Sequence, residues 1–277
     1  MSITTIGPTL PAGPDTGSGR VTPARVVHSE WIKFRSLRSS WLTLLAAVVA
    51  VVGFGALICW VTVNRWDRLP APERLSFSAA EQSLKGFYLA QLAVGVLGVL
   101  LVTGEYSTGT VRATLAAVPR RLPVLWAKAA VFAAVTLVLT AAACLTAFLL
   151  GQALLAGHHL DTTLSAPGAT RVVFGTALYL TVIGLLAIGV GALIRNTAGG
   201  VATVLGLLLV LPVLVEVLPG SWRDHLLPYL PSTAGQSLVT LHVQSPMPAP
   251  WTGFAILCLY AAATLAGGAV LLRHRDA

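Results

Sequence analysis

Glu105, Arg112, Arg120 and Arg121 fall within one short polar segment, residues 103–121, set between the apolar runs 86–102 and 129–155. One carboxylate and three guanidinium groups at this spacing suit ionic docking onto another surface rather than covalent chemistry. Charges of this density do not lie in hydrocarbon, so the segment belongs at an aqueous face. Its basic excess assigns that face to the cytoplasm. A short segment of this kind is where a membrane protein receives force from a soluble partner. Other routes to chemistry are poorly supplied. No G-x-x-x-x-G-K-[ST] occurs, so the chain holds no P-loop for ATP, and neither H-E-x-x-H nor G-x-S-x-G is present. His158 and His159 stand beside Asp161, but adjacent histidines point in different directions on most backbones, and a solvated loop is expected. Cys59, Cys144 and Cys258 each sit in a separate apolar run, which points to buried thiols rather than a disulfide or a zinc site. Glu216 is the one ionisable side chain within an apolar run, near its outer end, where an interfacial carboxylate close to Arg223 is expected. That scarcity of intramembrane charge counts against an ion-coupled transporter.

The elements that must position these residues follow from composition. The 277 residues are 56% hydrophobic and 10% charged, with a net charge of +8. Soluble domains carry about 25% charged residues, so this is a membrane composition. The basic residues flank apolar runs instead of clustering on a soluble domain, which excludes nucleic acid as the partner. Six stretches are long and apolar enough to cross a bilayer as helices, near 41–63, 84–102, 124–155, 172–194, 200–218 and 251–272. The expected fold is therefore an all-α integral membrane protein with a single six-span domain over 25–277. Residues 1–24, rich in Pro, Gly, Ser and Thr, are expected to form a disordered tail without the apolar core of a cleavable signal.

With both termini inside, Arg20, Arg25, Lys33, Arg35, Arg38, Arg112, Arg120, Arg121, Lys128, Arg195, Arg273 and Arg275 face the cytoplasm. Only Arg65, Arg68, Arg74, Lys85, Arg171 and Arg223 remain outside, which favours cytoplasmic termini two to one. The first outer loop weakens this bias. There Asp67, Glu73 and Glu81 are placed to pair with its three arginines. Ahead of the first span, residues 26–41 form an amphipathic pattern with Val27, Trp31, Phe34, Leu37 and Trp41 on one stripe. A basic, aromatic-bearing interfacial helix against lipid headgroups is expected, with Glu30, Lys33, Arg35 and Arg38 beside the stripe. Between the fifth and sixth spans, residues 219–250 hold six prolines, which forbid one continuous helix. A re-entrant or interfacial piece on the outer side fits that length. Gly95 and Gly98 in the second span, with Gly184, Gly189 and Gly191 in the fourth, permit close helix packing.

Glu105, Gly109, Thr110, Arg112, Leu115, Pro119, Arg120, Arg121 and Lys128 resemble the cytoplasmic loop of type 2 ATP-binding-cassette exporter permeases. Ser29 to Trp41 resembles the N-terminal helix of the actinobacterial branch of that family. Together with six spans and a long last outer loop, the resemblance covers residues 25–275. It implies a permease of the bacterial plasma membrane that forms a homodimer or a heterodimer with a similar permease. It implies, too, a separate ATP-binding-cassette ATPase that holds the ATP and Mg, this chain binding no cofactor. Residues 105–121 would be the coupling helix and, with the interfacial helix, would dock on the ATPase. Glu105 would steady the start of the coupling helix, Gly109 would allow a tight bend, and Pro119 would end the helix before Arg120 and Arg121. A path at the dimer interface, lined by the second and fifth spans, would suit an amphipathic or hydrophobic cargo. The residues by themselves leave open a stand-alone secondary transporter and a non-transporting scaffold or sensor subunit.

Overall fold

In a computed structural model of the chain, residues 22–107, 121–241 and 245–274 are described. Among them there is no strand, and six helices are long and apolar enough to cross a membrane. An interfacial helix, Pro23–Ser36, precedes the first span, Arg38–Arg68. A short helix, Ala79–Leu84, turns at Lys85 and Gly86 into the second span, Phe87–Ser107. The third span is Arg121–Leu155, the fourth Ala169–Ile194, the fifth Thr197–Glu216 and the sixth Pro250–His274. Each extends the apolar core legible in the sequence by a few residues at one or both ends. The described helices end where Gly, Pro and polar residues cluster.

The fourth span is the axis of the bundle. In its most apolar stretch 78% of the residues are buried, against 22% in the fifth span at the edge. It packs on the second, third and sixth spans, and glycine sets how closely. A Cβ on Gly98 of the second span would lie 2.5 Å from the Gly184 carbonyl oxygen, and one on Gly189 would lie 2.6 Å from the Leu265 amide nitrogen of the sixth span. Real Cβ atoms do not approach backbone this closely, so hydrogen is required at both positions. Two spans are not uniform α-helix. The first widens into a π turn at Ala50–Phe54 and the fifth at Gly206–Val210.

The long loop between the fifth and sixth spans folds back into the bundle. Helix Gly220–Leu226 and a 3-10 turn at Leu227–Tyr229 lead to a one-and-a-half-turn helix, Pro231–Gln236, whose first five residues are buried. Gly235 sits against the Tyr179 ring and the Leu257 side chain, and Gly253 against the Ala234 carbonyl. Tyr179 lies ten residues into the fourth span, about 15 Å along a helix rising 1.5 Å per residue, so this helix is re-entrant. Hydrogen bonds hold the spans and the chain that follows it in place, while the buried Ser232 hydroxyl has no partner among the described residues. The Tyr179 hydroxyl donates to Gln91 Oε1 at 2.5 Å, Arg171 Nη1 donates to the Leu238 carbonyl at 3.0 Å, and the Leu241 amide donates to the Glu81 carboxylate.

The first outer loop differs from expectation. Arg74 donates to the backbone carbonyls of Asp67 (2.7 Å) and Leu69 (2.9 Å) and lies over the Trp66 ring, while Glu81 is engaged by Leu241. No ion pair joins Arg65, Arg68 or Arg74 to Asp67, Glu73 or Glu81 among the described residues. Carbonyls a few residues away already satisfy the guanidinium. Arg223 pairs with its neighbour Asp224 at 3.2 Å rather than with Glu216, which is exposed. Cys59 and Cys144 are buried, but Cys258 is only half-buried.

The close backbone approaches set a paired test. Gly189→Leu should lower the unfolding temperature of the detergent-solubilised chain sharply, since overpacking costs about 1–3 kcal/mol or more. Gly206→Ala, where nothing lies within 4 Å, should leave it unchanged or slightly higher. Equal effects in a thermal unfolding assay would contradict this packing.

Candidate functional site

At one end of the bundle the interfacial helix meets the end of the second span and the start of the third. Four ionisable side chains fill the junction. Lys128 Nζ lies 2.8 Å from Glu30 Oε2 and 2.8 Å from Glu105 Oε1, bridging the two carboxylates. Lys33 Nζ lies 2.7 Å from Glu30 Oε1 and 3.5 Å from Glu105 Oε1. The side chains of Glu30 and Lys128 are 3% and 9% exposed, those of Glu105 and Lys33 21% and 37%. Among the described residues the cluster holds two acids and two bases, a balance that lets buried charge leave water. Burial pushes the Glu30 carboxyl up, but Lys128 and Lys33 together hold it below the usual carboxylate value. Burial likewise draws the Lys33 ammonium down, yet hydrogen bonding and attraction from Glu30 and Glu105 raise it above the usual lysine value.

Local sequence explains the placement. Val26, Glu30 and Phe34 recur every four residues, so all three face inward from the interfacial helix, and Lys33 follows Glu30 by three. The single apolar stripe expected over 26–41 is interrupted. The helix ends at Ser36, and Leu37 takes an extended conformation (φ −82°, ψ 101°) before the first span begins at Arg38. Val27, Trp31, Leu37 and Trp41 are exposed, and only Phe34 of the stripe is buried. The bend is braced by Trp41, whose indole Nε1 donates to the Arg35 carbonyl at 3.2 Å and whose ring meets Phe34 edge-on at 5.9 Å.

Glu105 lies in the last turn of the second span, not at a helix start. A carboxylate there opposes the helix dipole, and the lysines compensate. The same turn is held on its other flank. Thr197 Oγ1 donates to Thr103 Oγ1 at 3.0 Å, and the Arg195 guanidinium lies 5.3 Å from the centre of the Tyr106 ring while donating to the Leu271 carbonyl at 3.1 Å. Arg195 ends the fourth span in the left-handed region (φ 56°), its amide bonded to the Gly191 carbonyl. Thr103, Glu105 and Tyr106 thus tie the second span to the interfacial helix and to the third, fourth, fifth and sixth spans. Sequence pattern alone does not disclose this hub. Its one visible signal is Lys128, a cation standing immediately before the apolar run 129–155.

Of the other expected site residues, Gly109, Thr110, Arg112, Pro119 and Arg120 lie outside the described residues, and of Arg121 only its backbone place at the start of the third span is described. Arg35 and Arg38 are exposed. His158, His159 and Asp161 are exposed in the loop after the third span, and no group of three metal-ligating side chains occurs among the described residues.

Six spans, a re-entrant helix and an ion-paired junction flanking a polar segment define a multi-pass, all-α membrane protein. The family model for ABC-2 family transporter proteins matches residues 26–212, more than half of the chain, and the protein belongs to that family. It is a permease component of an ABC transporter, the membrane component and not the catalytic subunit, in a family that works in general with an ATP-binding subunit. No curated protein matches the chain.

The junction predicts an order of sensitivity. Lys128→Met removes the buried cation shared by Glu30 and Glu105 and should cost about 3 kcal/mol, whereas Lys33→Met, half-exposed, should cost about 1 kcal/mol or less. Thermal unfolding of both variants in one detergent checks this. The pH dependence is fixed by sign. The depressed Glu30 value means its contribution is complete above the ordinary carboxylate pKa of about 4.3 and lost as pH falls through the lower folded value. The raised Lys33 value means its contribution is complete below about 10.4 and lost as pH rises through the higher folded value. Fluorescence of Trp31 and Trp41 should therefore be flat from about pH 5 to pH 9 and change only outside that window.

Proposed function

We propose that this chain is the membrane half of an ATP-driven exporter in a bacterial plasma membrane, with both termini cytoplasmic. A separate ATP-binding-cassette ATPase, carrying its own ATP and Mg, docks on residues 105–121 and on the interfacial helix. The observation that supports this reading is the Glu30–Lys33–Glu105–Lys128 junction. It couples the interfacial helix directly to both spans that flank the polar segment, so a push on that segment reaches the bundle without a compliant link. Arg112, Arg120 and Arg121 supply the charge for an acidic ATPase surface, and Gly109, Thr110 and Pro119 shape the segment that bears them. Two copies of the permease, identical or similar, enclose the transport path against the second and fifth spans. Its low charge suits an amphipathic or hydrophobic cargo.

The deciding experiment is a mild-detergent pull-down of the tagged chain from its native membrane, read by mass spectrometry. A stoichiometric P-loop ATPase is expected. An intact, oligomeric chain without one would overturn the reading in favour of a stand-alone transporter or a scaffold subunit. In the reconstituted complex, Arg112→Glu should abolish most of the ATPase stimulation while leaving membrane insertion intact. Uptake by inside-out vesicles should favour apolar and amphipathic compounds, and uptake of strongly hydrophilic ions alone would sink the cargo assignment.

A further inference from the structure

The fifth span is anchored along its first half only. Thr197 donates to Thr103, a Cβ on Gly200 would lie 2.7 Å from Val99 Cγ1, and one on Gly95 would lie 3.0 Å from Val204 Cγ1. This half is thus docked on the second span. Beyond the π turn that support ends. Leu211–Glu216 rests on the helix Gly220–Leu226 and the turn Leu227–Tyr229 that follow it, and packs extensively on no other span. Of its side chains only Val215 is buried, while Val213 and Leu214 are 59% and 60% exposed. Among the described residues the last side-chain hydrogen bond of the span is that of Thr203 to the Gly199 carbonyl, before the π turn. A segment with so few buried contacts has little to oppose its movement.

The backbone joining the two halves is weakened as well. The Leu211 amide bonds back to the Gly206 carbonyl, a π rather than an α spacing, and the next residue, Pro212, has no amide to continue the ladder. A Cβ on Gly206 would meet nothing within 4 Å. The wide turn, the missing bond and the open space put the point of least bending resistance at residues 206–212. The π turn of the first span shows the contrast. A Cβ on Gly86 would overlap the Ala50 and Val51 carbonyl oxygens, and one on Gly55 the Ser83 carbonyl oxygen, so that turn is clamped by its neighbours. At its far end the loose piece is bounded too. The Leu227 carbonyl accepts the Thr233 hydroxyl of the re-entrant helix, which is itself packed on Tyr179 and Leu257.

We propose that residues 211–226 form a hinged flap that swings at the π turn of the fifth span, between anchors at Val204 and Leu227. The function of the flap rests on the exporter reading. There the second and fifth spans wall the transport path, and the flap is the stretch of wall that yields as cargo passes while the first half of the span stays docked. The hinge itself belongs to the chain alone and needs neither ATPase nor cargo.

The test uses the purified full chain in lipid nanodiscs, mixed with an excess of unlabelled chain. Spin labels are attached through a ketone-bearing residue, which leaves the native cysteines untouched, and distances are read by double electron–electron resonance. The pair 174–221 reports the flap against the fourth span, and the pair 42–198 reports the docked half against the first. The first pair should give a distribution at least about twice as broad as the second, and Pro212→Ala, which restores a backbone donor, should remove most of the excess. Gly206→Ala serves if that variant fails to fold, and should narrow the distribution less but in the same direction. Equal widths for the two pairs would overturn the flap, and a width unchanged in both variants would overturn the π turn as its hinge. In the reconstituted exporter Pro212→Ala should lower cargo flux severalfold while the ATPase still co-purifies. Undiminished flux would overturn the part assigned to the flap, whereas an unaltered chain that moves no cargo would count against the exporter reading and not against the hinge.

Discussion

Lys128 bridges two carboxylates that come from different parts of the chain, and the arrangement around it follows from that bridge. Glu30 is brought in by the interfacial helix and Glu105 by the last turn of the second span. Neither acid tolerates this degree of burial without a cation, and Lys128 does not tolerate it without both acids, because each ion leaves water at a penalty of several kcal/mol. The interfacial helix must therefore lie where Glu30 reaches Lys128. That fixes the bend at Leu37, which in turn orients the first span. Pairing of this kind gives little net stability, but it selects one geometry from many apolar alternatives.

The fourth span carries that geometry to the opposite face. Its C-terminal end is locked through Arg195 to Tyr106 and Leu271, while its N-terminal half holds the re-entrant helix and the turn after it through Tyr179, Gly175 and Arg171. Twenty-six helical residues span about 39 Å at 1.5 Å per residue. Glycine contacts with the second and sixth spans leave little room for sliding between them. In the proposed transport cycle a displacement at the junction would thus reach the outer face as a movement of a packed block rather than of one helix.

Much of this was legible in the sequence, and the gaps have physical causes. The six spans declare themselves because a run of twenty apolar residues can be kept from water in few ways other than crossing a bilayer. The glycines of the second and fourth spans read correctly as contact points, and the prolines of residues 219–250 forecast a broken, inward-folding segment. What periodicity did not disclose was the break at Leu37. The apolar stripe over 26–41 is real in composition, but it spans two helices, and most of it faces outward. Glu30 looked like a polar-face residue because Lys33 is its local partner, while the buried partner Lys128 stands 98 positions away and no local pattern encodes that pair. Arg74 misled for the opposite reason: backbone carbonyls, present at every residue, leave no mark in the sequence. Gly109, Thr110, Arg112, Pro119 and Arg120 lie outside the described residues, so their role rests on the resemblance and on the family.

The π turn at Ala50–Phe54 has a consequence for how this protein can change. A π turn holds one residue more than the α turn it replaces. Removing one residue there would return the span to regular α-helix with the turns on either side facing as before. The buried positions before and beyond it, from Leu44 and Ala47 to Cys59 and Thr62, would keep their neighbours. A deletion elsewhere in the span has no such slack and turns everything beyond it by about 100°. Tolerance to deletion is thus set in this span by angle rather than by hydrophobicity or length.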